Sequence, residues 1–475
     1  MLHIISHAIS EGLDSATSEP NAATAMVSKL IQTGDGSAKS CYSVAEYSQS
    51  AVAAAVLEVQ RLRASVWSLH STATVNRELA AAWSLNSVQP IGWQLPAAWD
   101  EYAGDYKCKD GWIRLHTNAA DHRAAALAVL GEPSNLEAAK EAVSHWMGLE
   151  LESAVVASGG AAAFMMSQDQ WSSHEQGIAV NAEPIVAWSE AQSSSAGLRC
   201  TLDSPERPLK GIKVLDLTRV LAGPVCTRFL ASLGAEVLRI DPPSWNEDGI
   251  AIETTIGKRC AGLDLNDGSE RAVFQTLLEQ ADVLVHGYRR DALEKIGFGD
   301  LVRASINPNL IDVALNAYGW TGPWKNRRGF DSLVQMSSGI AHHGQQSFAA
   351  QKPVPLPYQA LDHVTGYLMA ASVVRALREK HTSGRIFSAR LSLARQAKLL
   401  QDLTVQANEE LGNSKQAELL ENTLTPIVDT HLLSEIETTP WGDLKRLQLP
   451  YVIDGVRVGF DHPVSRLRSS IPSWS

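Results

Sequence analysis

PLKGIKVLDLTRVLAGPVCTRFLASLGAEVLRIDPP, residues 208–243, decides the fold. The run Val214–Leu217 reads as a buried strand, Ala222-Gly223-Pro224 as a tight turn, the next stretch as a helix, and Glu236–Asp241 as a second strand. That is a βαβ opening, and its loop falls where α/β sheets bind ligands, beyond the carboxyl ends of the strands. Glycine lets a ligand approach the backbone, and Pro224 suits a first helical turn. The same three residues also suit a turn with no ligand. The full G-x-G-x-x-G spacing is absent, so a standard nicotinamide site is not supported. Asp241 reads as an ordinary strand-end residue or as an imitation of a ribose-binding acid.

Outward from this unit the pattern keeps alternating. Strands are expected at Cys260–Leu265, Asp282–Gly287 and Asn309–Gly319, and helices at Glu270–Ala281, Arg290–Gly297 and Leu361–Lys380. Such alternation predicts a parallel sheet flanked by helices. After Arg395 the chain reads as mostly helical to about Glu435, then as short strands and turns. Toward the N-terminus, Ser43–Trp67 is a long alanine-rich amphipathic helix. A hairpin turns at Asp110-Gly111 between Tyr106–Lys109 and Trp112–His116. Helices follow at His122–Gly131, Ser134–Trp146 and Leu149–Gly160, with Ser134 and Glu137 spaced as a capping box. Residues 188–210, rich in Ser with Gly and Pro, read as a linker and place the main domain boundary there.

The chain has 475 residues, 45% of them hydrophobic, which is enough for two or three domains and a large core. A net charge of −11 argues against a general nucleic-acid binder but leaves room for a local basic pocket. Five scattered cysteines (Cys41, Cys108, Cys200, Cys226, Cys260) form no C-x-x-C pair, the pattern of a reduced, cytoplasmic protein. No secretory signal is evident at Met1–Ile5, no run of about 18 apolar residues predicts a membrane span, and no His/Cys/carboxylate spacing predicts a metal site.

Residues 208–243 resemble the start of the class III CoA-transferases, the carnitine dehydratase/bile-acid-inducible family that includes formyl-CoA transferase-like enzymes. Further matches are the GKRC segment at Lys258-Arg259, VHGYRRDALEKIGFG, the Gly319–Ile340 segment with Gly329-Phe330-Asp331, and Asp362-His363-Val364-Thr365-Gly366 opening a long helix. The sequence departs from the family at His286-Gly287 and Arg290-Asp291, and Ala317 and Arg328 replace small residues of the pattern. The resemblance implies an α/β fold: a Rossmann-like parallel sheet with helices on both faces, plus a smaller α+β domain. It implies CoA contacts at Val220, Leu221 and Ala222, with Lys258, Arg259, Lys295 and Arg328 as cationic partners. It makes Asp362 the catalytic nucleophile. From pattern alone, Asp362 is a helix N-cap, a position that also favours an ionised carboxylate.

The chemistry implied is transfer of CoA from an acyl-CoA to a carboxylic acid through a mixed anhydride and an aspartyl-CoA thioester, with a CoA thioester as substrate and no permanently bound cofactor. An interlocked homodimer, without nucleic acid or membrane, is implied as well. Two alternatives stand beside it: an acyl-CoA racemase or epimerase of the same fold, and a non-catalytic acyl-CoA-binding homologue. Phe330 occupies the place of the racemase histidine and favours transfer. His342, His343 and His363 stand nearby as substitute bases or as plain loop and first-turn residues.

Residues 97–185 resemble the family's smaller domain, which normally follows the large one. The expected division is an N-terminal region 1–200 carrying that module, a large CoA-binding and catalytic domain 201–395, and a closing segment 396–475. It reads as a chain with its small domain first, or as the remnant of a tandem two-copy protein.

Overall fold

The computed structural model describes residues 1–11, 28–190, 202–289, 291–411, 419–421, 423 and 425–475. Its centre is a seven-stranded sheet in the order 258–262, 236–241, 213–217, 283–286, 311–316, 387–392, 187–190. The first six strands are parallel and the last is antiparallel. Numbered by position in the chain, the six parallel strands run 3-2-1-4-5-6, the doubly wound dinucleotide-binding order. Their sequences are apolar on both faces because helices cover both. Val214, Val237, Val285 and Val313 belong to one hydrophobic core. Leu215, Leu217, Leu238, Ile240 and Leu284 belong to the other, with Phe274 and Leu277 of the Gly268–Gln280 helix.

On the first face lie the Ala222–Ser232 and Ala360–Ser383 helices. The Val44–Trp67 helix packs along the latter, so this part of the N-terminal region lies in the core of the α/β body. Strands from the two ends of the chain complete one another: Thr72–Asn76 pairs with Lys29–Thr33 and Tyr451–Ile453, and Val88–Pro90 with Gly442–Leu447. Gly104–Cys108, Gly111–Leu115 and Ala162–Phe164 form an antiparallel sheet. With its helices, that sheet encloses a separate core around Tyr106, Ile113, Leu151 and Val155.

Several local expectations are corrected. Trp188–Glu190, read as the start of a linker, belong to Ala187–Glu190, the edge strand of the main sheet. It is fixed to Phe387–Ser392 by the ladder and by a two-pronged Arg385–Glu190 ion pair of 2.7 and 2.6 Å. The rest of that linker up to residue 201, Cys200 included, lies outside the described residues. Beyond Arg395 the described residues are helical to Leu411 and again at 419–421, whereas Leu432–Thr439 is a strand because Gly442–Leu447 pairs with it. The capping box at Ser134 does not form: Asn135 caps the helix instead, its side chain accepting the Ala138 N–H. The four described cysteines are free and buried. No helix among the described residues is long and apolar enough to cross a membrane.

Candidate active site

The strand order reverses between 213–217 and 283–286, and the loops leaving their carboxyl ends part there, as expected of a ligand crevice. A cavity of about 340 Å³ occupies that position. It is lined by Arg219, Val220, Leu221 and Ala222 after the first strand, Gly287, Tyr288 and Arg289 after the fourth, and Arg328, Phe330 and Asp362.

The first loop is held in an unusual shape. Val220 has φ 64°, a left-handed conformation that a β-branched residue adopts only under constraint. Its N–H donates to Glu247 at 3.0 Å, and Glu247 is anchored by Arg239 at 2.6 Å. Arg239 is fully buried and also grips Asp241 through two hydrogen bonds of 2.9 and 3.0 Å. Asp241 thus serves as a structural counter-ion rather than a ribose acid. Beneath the same loop, Asp216 accepts from Thr218, from Thr227 at 2.6 Å and from Lys258 at 3.0 Å. A Cβ on Gly223 would stand 2.2 Å from the Thr218 Cβ, so the turn closes only with glycine there.

Asp362 sits in the first turn of the Ala360–Ser383 helix, not at its cap, which is Gln359; this corrects the capping expectation. Gly366 sets its position. A Cβ at Gly366 would lie 2.4 Å from the Ala222 carbonyl oxygen, so glycine lets the two helices touch and brings Asp362 to the amino end of the Ala222 helix. Gly366→Ala is expected to push the helices apart. A loss of about 1–3 kcal/mol in a denaturant titration should accompany a fall of tenfold or more in kcat.

The surroundings of Asp362 disfavour its ionised form, against the helix-terminus argument. Burial pushes its pKa well above the usual range and Asp331 pushes it further, against the pull of the Ala222 N–H. Asp331 is itself raised to about 6 by burial, opposed by Gln335 and by the backbone N–H groups of Asp362 and Leu361. It accepts Gln335 Nε2 at 2.5 Å and the Asp362 N–H at 2.9 Å. Two carboxyls this close share one charge. Asp331 has the more donors, so Asp362 is the carboxyl whose pKa is raised further.

Around Asp362 the cations are arranged unevenly. The Arg219 guanidinium lies between the rings of Trp245 and Tyr288, at 4.9 and 5.2 Å, and donates to the Tyr288 hydroxyl at 2.8 Å. Arg328 is depressed by burial and then by Arg289, so the site sets positive charges against one another. An arriving anion relieves both costs. Of the expected cofactor contacts, Val220, Leu221, Ala222 and Arg328 line the same cavity as Asp362. Lys258, Arg259 and Lys295 do not. Lys258 is buried under the loop in its pair with Asp216. Arg259 pairs with Glu236 at 3.5 Å, and Lys295 pairs on the surface with Asp291 of its own helical turn.

Arg219, Tyr288, Arg289, His116 and His122 were not singled out by sequence, and Asp331 entered only as the end of the Gly329-Phe330-Asp331 match. His116 stacks flat on Phe330 at 3.7 Å, and His122 lies tilted to the same ring at 5.7 Å. Burial pushes His116 down to about 3 and His122 to about 4, so both are neutral. They come from the 97–185 module, and nothing in their local spacing announces that Phe330 will meet them. Among the earlier candidates, His363 lines a second cavity beside Asp362, whereas His343 packs against Tyr42.

A doubly wound sheet with a buried carboxyl and an arginine-rich crevice at its switch point defines a class of α/β protein suited to an anionic, nucleotide-like ligand. Residues 209–430 match the model of CoA-transferase family III. It is 28% identical over 305 residues to an acyl-CoA transferase of Gibberella moniliformis, covering 59% of this chain and 53% of that protein. It is 34% identical over 196 residues to the acetyl-coenzyme A transferase nodX of Hypoxylon pulicicidum, covering 40% of this chain and 33% of that one. The crystal structure of Rv3272 from M. tuberculosis matches 43% of this chain and 60% of that chain at 28% identity, with a TM-score of 0.38. The chain thus spans about a third to a little over half the length of these two curated relatives.

Proposed function

We propose that the protein transfers CoA between an acyl-CoA and a carboxylic acid, with Asp362 as the nucleophile. The observation that carries this is the position of Asp362: at the foot of the switch-point cavity, against the first turn of the Ala222 helix, with Arg219, Arg289 and Arg328 lining the same space. The cations suit the phosphates of CoA, and the helix N-terminus offers N–H groups to an oxyanion.

The deprotonated Asp362 carboxylate attacks the thioester carbonyl. The C–S bond breaks, CoA leaves as the thiolate and a mixed anhydride remains. The thiolate attacks the aspartyl carbonyl and the first acid departs as its carboxylate, leaving an aspartyl-CoA thioester. An acceptor carboxylate then attacks that thioester and repeats the two steps in reverse, restoring Asp362. The thioester is conserved throughout, so ATP is not consumed. Incubation with an acyl-CoA followed by mass spectrometry should find CoA on the peptide bearing Asp362, or a hydroxamate after hydroxylamine. Transfer that proceeds with that peptide unmodified would sink the reading.

The shared charge gives a second expectation. The rate should rise with pH as Asp362 sheds its proton. Asp331 raises that pKa, so Asp331→Asn should move the acid limb of the kcat/KM profile to lower pH. An unmoved limb would separate Asp331 from the nucleophile.

A further inference from the structure

Asp362 lines two cavities, and they differ in chemistry. The first is the arginine-rich crevice described above. The second, of about 270 Å³, lies toward the N-terminal region and is walled mainly by Trp83, Leu85, Trp99, Leu221, Phe330 and Tyr358. We infer that this second cavity receives the acyl group, and that the acids it accepts are uncharged beyond their reacting carboxyl: apolar or aromatic monocarboxylic acids of modest size, not dicarboxylates. The inference rests on the transferase reading and specifies its substrate class.

The charge balance of the cavity carries the argument. A dicarboxylate would place its second carboxylate here, away from the crevice, and would need a free cation to hold it. Among the described residues, Arg228 is the one Lys or Arg side chain that lines the cavity. Its charge is already met: Nη1 donates to the Glu253 carbonyl at 3.1 Å and pairs with the Glu253 carboxylate at 3.3 Å, and the guanidinium lies over Trp83 at 4.5 Å, while Nη2 is buried without a hydrogen-bond partner. Glu253 also accepts the Ser87 N–H at 2.8 Å, which fixes the pair to the wall. His363 offers no charge either, because burial and then Arg228 hold it down at about 3. With the Arg228–Glu253 pair neutral, the charge left is the negative one shared by Asp331 and Asp362. A second carboxylate would be repelled, whereas methylenes and rings would find aromatic walls.

The test uses the intact protein with acetyl-CoA as donor and propionate, butanoate, pentanoate, hexanoate, benzoate, phenylacetate, succinate and oxalate as acceptors, with thioester products separated by chromatography. The expected result is a kcat/KM for the monocarboxylates at least tenfold above that for the two diacids, with KM falling about fourfold per methylene from propionate to pentanoate. Leu85→Lys, which puts an unpaired cation on the wall, should raise succinate turnover tenfold or more. Equal or better use of diacids by the natural sequence would overturn the inference, as would a Leu85→Lys variant with unchanged preference. If no acid accepts CoA, the transferase reading fails by itself, and saturation-transfer NMR then decides the cavity. Hexanoate and benzoate contacts without succinate contacts uphold it; succinate contacts, or none from any acid, overturn it.

Discussion

Asp362→Asn is expected to abolish CoA transfer while leaving a folded and more stable protein. The amide is nearly isosteric and keeps its place against the Ala222 helix, but its nitrogen cannot form the anhydride or the thioester. A fall in kcat on the order of 10³-fold or more is expected, as for the loss of a covalent nucleophile. Stability should move the other way. Burial and Asp331 raise the Asp362 pKa in the folded chain, so the folded state keeps a proton that the unfolded chain sheds near pH 4. Its contribution is fully present below that unfolded value and is lost as pH rises toward the folded one. Asparagine has no proton to lose. The variant should therefore melt higher than the natural sequence at neutral and mildly alkaline pH, with the advantage vanishing near pH 4. A scanning calorimetry series over pH checks this, and an inactive variant that is also less stable at pH 8 would show that the ionised carboxyl is accommodated at little cost. Such opposition between stability and activity is what a poised carboxyl in an apolar wall implies.

The sheet was legible because its strands are buried on both faces. VLDL and VLVH stand out as continuous apolar runs, and the helix between them carries its own period. Gly366 and Asp362 were also legible as a pair, through the resemblance to a family whose D-x-x-x-G opens a long helix, and the structure adds that the glycine is what admits the Ala222 helix. What was not legible depends on partners far away in the chain. AWSE, a four-residue segment with a charge at its end, becomes a strand through a ladder to residues 387–390 and through Arg385. The left-handed Val220 has no signal of its own, because valine resists that conformation and only the Arg239–Glu247 anchor imposes it. His116 and His122 enter the site by the docking of one module against another.

Lys258 is the sharpest of these cases. By resemblance it is a phosphate partner; in the structure it is a strut, and the two roles predict different results for Lys258→Met. Its ammonium is buried, 3.0 Å from Asp216 and 3.2 Å from the Pro224 carbonyl. Burial raises the Asp216 carboxyl, but Lys258 and then Arg239 outweigh it and hold the group below its usual range, so it is ionised. Methionine fills the volume but leaves that charge without its nearest cation. Breaking one side of a buried pair costs about 3–5 kcal/mol, and denaturant unfolding should show a loss of that size. The loss should spread to the loop, because Asp216 also fixes Thr218 and Thr227. Replacing both partners, Asp216→Asn with Lys258→Met, removes the orphaned charge and should restore a large part of the stability, a non-additivity that a double-mutant cycle measures directly. A phosphate partner behaves otherwise: its loss raises the KM for an acyl-CoA several-fold, leaves the unfolding midpoint in place and shows no coupling to Asp216. Stability loss with strong coupling therefore assigns Lys258 to the scaffold that shapes the crevice and leaves phosphate binding to Arg219, Arg289 and Arg328.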